Sequence, residues 1–304
     1  MRRLALVLLV VLGLALAYLV VVLVRGHIQV RAEDSPLPGP QALEAALATQ
    51  EGPVRVHFIN TATQGLPAGQ ALSHPAFVFE WSDGRLFLLD AGMRPEEAVA
   101  FGKPMELLLD NGPTRPHGSV SAQLGKAASR VGGIAFTHLH SDHTDGMVAL
   151  CAARPSDLAV FQTTPQAENR NHTTDMGHAL ILEAGCARFE RMRSAPVSTI
   201  PGFPGLVAVA AGGHTPGSTV YLARVDGHRW IFSGDITNSR GELEDDVPKS
   251  LLYSVLIVPE DRDRLADLRE WLRTLDAEPE TTVVVSHDAI ALETSGPPAW
   301  PGPR

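Results

Sequence analysis

The sequence predicts an α/β fold preceded by one N-terminal transmembrane helix, and three observations support this prediction. Residues 4–24 form an uncharged apolar run that, as a helix, would cross the ~30 Å hydrocarbon core of a bilayer. Short apolar runs typical of buried strands then recur, several of them ending at a histidine or an aspartate. Residues 261–276 carry leucines at helical spacing between charges, which predicts an amphipathic helix covering one face of a sheet.

The composition is that of a folded globular protein. Its 304 residues, 44% hydrophobic and 19% charged, suffice for one large core or two modest domains. Residues 1–31 contain four arginines and no acid, which leaves 21 basic and 34 acidic residues in the remainder, a net charge of −13. We expect no nucleic-acid partner, because phosphate binding requires basic stripes, and such a domain is also poorly suited to lie flat on anionic lipid.

The apolar run at residues 4–24 has two interpretations. As a retained helix it is a membrane anchor, flanked by Arg2 and Arg3 on one side and Arg25 on the other. As a signal peptide it would be cleaved after the small-x-small sequence at residues 15–17, which would leave a strongly apolar new N-terminus. The two leading arginines favour a cytoplasmic N-terminus, although basic residues beyond the run weaken this signal. We predict a single anchor with the folded domain outside the cytoplasm, in the periplasm.

The remaining chain divides by composition into three parts. Residues 32–53, with a Pro/Gly cluster followed by an alanine-rich stretch, predict a linker with a short helix that holds the domain off the membrane. The folded domain is predicted at residues 54–293. Residues 294–304 contain four prolines and two glycines, so we expect this tail to be disordered or loosely laid on the surface.

Strands are predicted along the whole domain, and a turn at residues 82–85 joins two of them in a hairpin. The predicted strands are residues 54–59, 76–81, 86–90, 132–137, 206–211, 230–232 and 282–285.

Residues 137–146 place three histidines and two aspartates directly after a predicted strand. His138 and His140 project to the same side, because side chains two apart on an extended chain share a face. A surface run of histidines on a polar loop is the alternative explanation. The density of imidazole and carboxylate groups favours a metal-binding stretch.

The next residues turn the chain into a predicted helix. Ser141 or Asp142 is a suitable N-cap, which would leave Asp142 and His143 on a tight turn facing the two preceding histidines. One ion does not use four such ligands in this geometry, since a zinc site takes three or four protein ligands and the two pairs point at different centres. The spacing therefore indicates two ions.

Three further ligand candidates follow later strands. His214 comes after residues 206–211, Asp235 after residues 230–232, and His287 after residues 282–285. Strand ends along one edge of a sheet allow a rigid scaffold to bring together ligands from distant parts of a chain.

These motifs, in this order, resemble those of the metallo-β-lactamase superfamily of metallohydrolases. The motifs are His-x-His-x-Asp-His at 138–143, Gly-His-Thr-Pro-Gly-Ser at 213–218, Ser-Gly-Asp at 233–235 and Ser-His-Asp at 286–288. The resemblance extends from about residue 54 to residue 287 and implies a four-layer αββα sandwich. It implies one metal ion held by His138, His140 and His214, and a second held by Asp142, His143 and His287. Asp235 would bridge the two ions, and Asp90 would be a nearby structural support.

Two ions of zinc, or of manganese or iron, would share a hydroxide that acts as nucleophile near neutral pH, so hydrolysis is the expected reaction. Asp142 is expected to orient this hydroxide as the catalytic residue. The Asp235 and 286–288 motifs look like those of lactonases and esterases, which favours a lactone or carboxylic ester as the small-molecule substrate. Asn238 stands where quorum-quenching lactonases typically carry a tyrosine. The alternatives are a β-lactam hydrolase, which residues 213–219 resemble, a phosphodiesterase, and a non-catalytic binding module tethered to the membrane.

Two groups of residues stay unassigned at this point. Cys151 and Cys186 lack a CxxC partner, which excludes a cysteine zinc site, and they either form a disulfide or remain buried thiols. His117, His172 and His178 lie in irregular segments, and of these His117 could approach the metal site or lie on the surface. The acyl group and the oligomeric state do not follow from the sequence.

Overall fold

The computed structural model describes residues 2–154, 156–192 and 197–302, so the last two residues of the predicted tail lie outside it. The helices are α1 (Arg2–Val30), α2 (Pro40–Leu47), α3 (Pro95–Leu108), α4 (Val120–Leu124), α5 (Ser141–Thr144), α6 (Gly146–Ala152), α7 (Thr164–Glu168), α8 (His172–Glu183), α9 (Arg240–Glu244), α10 (Arg262–Asp276) and α11 (Ala289–Thr294). The strands are β1 (Arg55–Gly65), β2 (Ala71–Glu80), β3 (Leu86–Leu89), β4 (Thr114–Pro116), β5 (Val131–Ala135), β6 (Leu158–Gln162), β7 (Ala187–Arg191), β8 (Ser198–Thr199), β9 (Leu206–Ala210), β10 (Thr219–Val225), β11 (His228–Phe232) and β12 (Thr281–Val284).

The strands form two sheets. The first has the order β4-β1-β2-β3-β5-β6-β7, and the second has the order β12-β11-β10-β9-β8. Every strand predicted from the sequence is present, with ends that differ by a few residues. The predicted hairpin is also confirmed, since β2 and β3 pair antiparallel with Glu80 opposite Leu86.

The main core lies between the two sheets. Phe77 and Phe79 alternate with outward-facing residues on β2 and pack against Phe232 of β11, with ring centroids 4.5 and 5.3 Å apart. Tyr221 of β10 is fully buried in the same cluster. Aromatic side chains therefore fill the space between the sheets and hold the sandwich together.

Helices cover both outer faces. Val78 of β2 points away from the central core and belongs to a cluster with residues of α4, α6 and α8. On the second sheet, Val220 and Leu222 pack with residues of α2 and α10. The predicted amphipathic helix is α10, and its leucines at 265, 268, 272 and 275 are all buried. The four-layer αββα arrangement is confirmed.

The segment that we interpreted as a linker is packed onto the domain. Leu43 and Leu47, one turn apart on α2, are buried against the second sheet. Upstream of α2, the Pro38 carbonyl accepts a 3.0 Å hydrogen bond from Trp271 Nε1. The short helix predicted for this segment is present as α2, and its apolar stripe is buried by the sheet.

The C-terminal tail is likewise held against the domain as far as residue 302 is described. Phe58 N donates to Pro298 O at 3.0 Å, and Trp300 N donates to Phe58 O at 2.8 Å. β4 pairs only with residues 62–64 of β1, so the first half of β1 has an open edge that the tail covers. Proline lacks an N–H group, but its carbonyl still accepts, which is why a proline-rich tail can pair here.

Helix α1 is longer than predicted and continues into the domain. One helix, residues 3–30, is long and apolar enough to cross a membrane, and the side chains of its first two-thirds are exposed. Gly26 and Val30, near its end, are buried. The helix therefore has an exposed apolar part and a short base that packs on the fold.

Cys151 and Cys186 form a disulfide between the end of α6 and the strand β7, with a Cα–Cα distance of 5.4 Å. Of the two alternatives for the cysteines, the structure supports the disulfide. It closes a loop across a sequence separation of 35 residues, which ties the helical layer to the edge of the first sheet.

Reduction of this disulfide, or the double substitution Cys151→Ser and Cys186→Ser, should lower the free energy of unfolding by about 3–4 kcal/mol, because a closed loop of this length restricts the unfolded chain. Denaturant unfolding of the oxidised, reduced and substituted proteins measures this difference. An unchanged midpoint in all three would contradict it.

Candidate metal centre

Three histidines from two loops meet at one edge of the sandwich. His138 and His140 follow β5, and His214 follows β9. His140 Nδ1 lies 3.0 Å from His138 Nε2 and 3.3 Å from His214 Nε2. Ring nitrogens at this spacing direct their lone pairs to a shared point, as the ligands of a tetrahedral metal ion do. The structure thus brings together the three residues predicted for one ion.

Two glycine positions permit this assembly. Gly213, at φ +80°, precedes His214, and a Cβ there would lie 3.0 Å from Leu265 Cδ2 of α10. Gly234, at φ +58°, precedes Asp235, and a Cβ there would lie 2.8 Å from Thr137 Cβ. Larger residues would strain both turns and push these strand ends apart.

A second group of ligand candidates lies on the other side of the centre. Asp142 Oδ2 is 3.5 Å from His287 Nε2, 3.8 Å from His143 Nε2 and 3.4 Å from His74 Nδ1. The donor atoms of His74, Asp142 and His287 all lie within 4.8 Å of one another. The residue that precedes α5 is His140, so the predicted capping role of Ser141 or Asp142 is wrong, and the Asp142 carboxylate faces the centre instead.

Asp235 lies between the two groups. Its Oδ2 is 3.8 Å from His138 Nε2, 3.7 Å from His214 Nε2 and 3.0 Å from His287 Nε2. Its Oδ1 is 3.4 Å from His143 Nε2. One carboxylate thus contacts histidines of both groups.

The donor atoms fit metal ions. Among the described residues, His74 Nδ1, His143 Nε2 and Asp235 Oδ1 are buried without a hydrogen-bond partner. Buried polar atoms that lack partners are costly, and divalent cations bound among them would supply the missing interactions. Imidazole nitrogens and carboxylate oxygens are the donors that zinc, manganese and iron accept.

Other residues orient the candidate ligands. Asp90 Oδ2 lies 3.0 Å from His143 Nδ1, and Asp90 also accepts hydrogen bonds from the backbone and hydroxyl of Thr137, each at 2.8 Å. Asp90 therefore has the supporting position that the resemblance implied. Hydrogen bonds of this kind fix the tautomer and the ring orientation of a metal-binding histidine.

The sequence analysis missed three residues at the centre: His74, Glu260 and Lys249. Glu260 Oε1 lies 2.7 Å from His214 Nδ1, and Lys249 Nζ lies 3.2 Å from that same oxygen. Lys249 also donates to Asp235 O at 2.7 Å. None of the three belongs to a motif, and only His74, which directly precedes the apolar residues 75–79 of β2, gave a weak signal in the sequence.

The five histidines fall into two sets, one with lowered and one with raised pKa values. Burial lowers the pKa of His138 well below its usual value, lowers that of His214, and lowers that of His140 to about 3. Burial also opposes protonation of His143 and His287, but carboxylates outweigh it and raise both pKa values, chiefly Asp90 for His143 and Asp235 for His287.

The remaining histidines lie outside this group. His117 is exposed, with Nε2 2.8 Å from Thr63 Oγ1. His178 packs against Phe189, with ring centroids 5.4 Å apart. His172 begins α8 next to the base of α1. The neighbouring Thr173 does reach the centre, because its Oγ1 lies 3.1 Å from His140 Nε2.

The sequence profile of the metallo-beta-lactamase superfamily matches residues 69–287. The chain belongs to this superfamily and is a metal-dependent hydrolase. No curated protein sequence matches the chain.

Solved structures show the same fold. A quorum-quenching N-acyl homoserine lactone lactonase superposes with a TM-score of 0.59 at 16% identity, covering 83% of this chain and 99% of the other. An N-acyl homoserine lactone hydrolase with N-hexanoyl-L-homoserine at its catalytic metal centre gives a TM-score of 0.56 at 16% identity, covering 79% and 95%. A probable metal-dependent hydrolase from Staphylococcus aureus gives 0.54 at 13% identity, covering 79% and 91%.

Acidification should release metal from the second ligand group, which contains His143 and His287, before it releases metal from the first. Metal binding requires neutral imidazoles, so protons compete at His143 and His287, whose pKa values are raised, and not at the three histidines whose pKa values are lowered. As the pH falls from about 7.5 to about 5.5, we expect the metal content of dialysed protein to fall from two ions per chain to one.

The matched control for this titration is His287→Ala, which should bind one ion and keep it over the same pH range. Elemental analysis after equilibrium dialysis measures both proteins. Simultaneous loss of both ions from the unsubstituted protein would contradict the assignment of the pKa shifts.

Proposed function

We propose that this chain is a dinuclear metal-dependent hydrolase that cleaves a lactone or carboxylic ester. The observation that carries the proposal is the position of Asp235, whose carboxylate contacts histidines of both ligand groups. In this proposal, His138, His140 and His214 would hold one ion, and Asp142, His143 and His287 would hold a second. Asp235 would be shared between the two ions.

The protein's own groups prepare this site for hydrolysis. Two divalent ions held here, most simply zinc, would supply a water of near-neutral pKa and polarise the oxygen under attack. Burial opposes ionisation of Asp142, but the charge of His143 and contacts with His74 and His287 outweigh it and lower its pKa. Asp142 is therefore a carboxylate at neutral pH and accepts a hydrogen bond from the attacking water, which orients it. His74 Nδ1 lies 3.4 Å from the same carboxylate oxygen, so its ring packs beside Asp142 in the buried centre.

The space beside the centre suits a small molecule. A cavity of about 300 Å³ opens next to His287, and its lining includes the apolar side chains of Leu66 and Ile290. Small-molecule sites are mostly apolar clefts of roughly this size or larger. Two solved structures of this fold are N-acyl homoserine lactone hydrolases by their descriptions, which supports a lactone for this chain as well.

The charges near the centre favour a neutral substrate. Arg240 lines the cavity, but its guanidinium is paired with Asp276 and Glu244. Lys249 is paired with Glu260 and with the backbone of Asp235. An anionic substrate, such as a phosphodiester or a β-lactam antibiotic with its carboxylate, would need a cationic side chain to bind its charge. Arg240 and Lys249 are already paired with protein groups. A neutral ester or lactone has no such requirement.

A panel of substrates tests the proposal. The metal-loaded protein is assayed with lactones, aryl esters, β-lactams and phosphodiesters, and we expect turnover of the first two classes. Preferential hydrolysis of a β-lactam or a phosphodiester would show that the proposed substrate class is wrong. Failure to hydrolyse any class with both ions bound would favour a binding module.

Asp235→Ala should reduce kcat by roughly 100-fold or more with only a modest change in KM, because the bridging carboxylate acts in the transition state rather than in ground-state binding. Metal analysis should show one retained ion, held by the three histidines. The matched control Asp245→Ala removes an exposed carboxylate of the α9 cap and should leave both quantities unchanged. Full activity with two ions in Asp235→Ala would exclude the bridging role.

We further propose that α1 anchors the chain in a membrane with the domain in the periplasm. Gly26 and Val30 of α1 are buried against the domain, so the helix is a packed part of the fold. Cleavage after Ala17 would make the exposed Tyr18 the new N-terminus, at the start of a strongly apolar segment. The Cys151–Cys186 disulfide also favours an oxidising compartment outside the cytoplasm.

Mass spectrometry of the membrane fraction tests the anchor. Chymotryptic peptides should include one in which Ala17 is still joined to Tyr18, a bond that signal-peptide cleavage would break. A mature N-terminus at Tyr18 would show that the segment is a cleaved signal peptide. Protease added to intact spheroplasts should digest the domain if it lies in the periplasm, and its protection there would reverse the orientation.

A further inference from the structure

A short helical segment carries an exposed apolar surface near the metal centre. Residues 250–259 contain no charged side chain. We call residues 251–257 the apolar turn. Its large apolar side chains are between 37% and 65% exposed: Leu251, Leu252, Val255, Leu256 and Ile257. A cluster of this kind on a water-facing surface indicates a contact with another apolar phase.

The base of α1 packs directly on the apolar turn. His27 Nε2 lies 3.2 Å from Val255 O. A Cβ at Gly26 would lie only 2.8 Å from Pro259 Cγ, so glycine is what permits this close approach. The uncharged part of α1 ends at Val24, about 4–5 Å before His27 along the helix axis. The apolar turn therefore lies level with the end of the membrane-spanning part.

The elements that hold α1 also hold the metal centre. Next to Val255, the Ser254 hydroxyl donates to Glu260 Oε2 at 2.6 Å, and Glu260 Oε1 lies 2.7 Å from His214 Nδ1. A second contact lies at the same position of α1, because a Cβ at Gly26 would also lie 3.2 Å from His172 Cε1.

The residue after His172 completes this second connection. Thr173 Oγ1 lies 3.1 Å from the ring of His140. Val255 is thus linked to His214 through Ser254 and Glu260, and His172 is linked to His140 through Thr173. The base of α1 is therefore connected to two candidate ligands by short chains of contacts.

We propose that the apolar turn lies in the surface layer of the bilayer, so that the metal centre opens beside the lipid and takes an amphipathic ester or lactone whose acyl chain stays in the membrane. This inference rests on the proposed anchor and hydrolase activity. The domain's charge of −13 gives no attraction to anionic lipid, so the contact is made by apolar side chains entering a lipid layer.

Spin labels locate the apolar turn independently of activity. The two native cysteines are joined in a disulfide, so a single introduced cysteine gives one labelling site. The full chain is reconstituted in phosphatidylcholine nanodiscs with a nitroxide at Leu256→Cys, and with the matched control Leu182→Cys on the last turn of α8. Both side chains are more than half exposed.

We expect the label at position 256 to collide more with oxygen, which concentrates in lipid, than with a water-soluble nickel complex. The label at position 182 should show the opposite preference. A label at position 256 that prefers the nickel complex would overturn the proposed contact, even if the chain proves to be an active esterase.

Activity tests the substrate class. Leu252→Glu combined with Leu256→Glu should lower kcat/KM for a long-chain ester embedded in phosphatidylcholine vesicles by at least about tenfold. The reason is that the free energy of burying one leucine side chain corresponds to more than a tenfold change in an equilibrium constant. Hydrolysis of a short-chain, water-soluble ester should stay unchanged, and Leu182→Glu should affect neither substrate.

Equal effects on the two esters, or no effect on the embedded one, would exclude a membrane-held substrate. Lack of hydrolysis of any ester by the unsubstituted protein would instead overturn the proposed function. In that case the spin-label result still decides whether the apolar turn contacts lipid.

Discussion

The rest of the structure depends on the burial of one carboxylate, Asp235, where the two sheets meet. Asp235 is delivered by β11 of the second sheet, while His138 and His143 come from the loop after β5 of the first. Burial alone raises the pKa of Asp235, but the charges of His287 and His143, whose own pKa values are raised, outweigh it and lower the pKa well below its usual value. A buried anion is tolerated only with compensating positive charge, so the sandwich and the candidate ligands stabilise one another.

Three of the candidate ligands are held in the same way. His143 is fixed at Nδ1 by Asp90, His214 by Glu260, and His287 by the carbonyl oxygen of Ser73 at 2.8 Å. In each case the opposite nitrogen, Nε2, is left facing the centre. Because the three partners come from β2, the end of β3 and the loop before α10, the ring orientations are set by the packing of the whole sandwich.

The sequence predicted the parts of the site that lie at strand ends, because apolar runs and the residues that follow them are local features. His138, His214 and Asp235 were found in this way. Glu260 and Lys249 were not, because their role arises from contacts with residues 46 and 14 positions away in the chain. The same limit applies to α2 and the tail, whose compositions suggest flexibility. In the structure α2 packs on a face of the second sheet, and the tail pairs with the open edge of β1.

The glycine at position 26 has a consequence for how this protein meets its substrate. It allows the base of α1 to approach Pro259 and His172 closely, so under the proposed anchoring the domain would not turn freely about the helix. With the anchor in a bilayer, encounters become two-dimensional, and the rate follows the mole fraction of substrate in the lipid rather than its concentration in water. Dilution of the surrounding aqueous phase would then leave turnover unchanged, whereas added inert lipid would slow it.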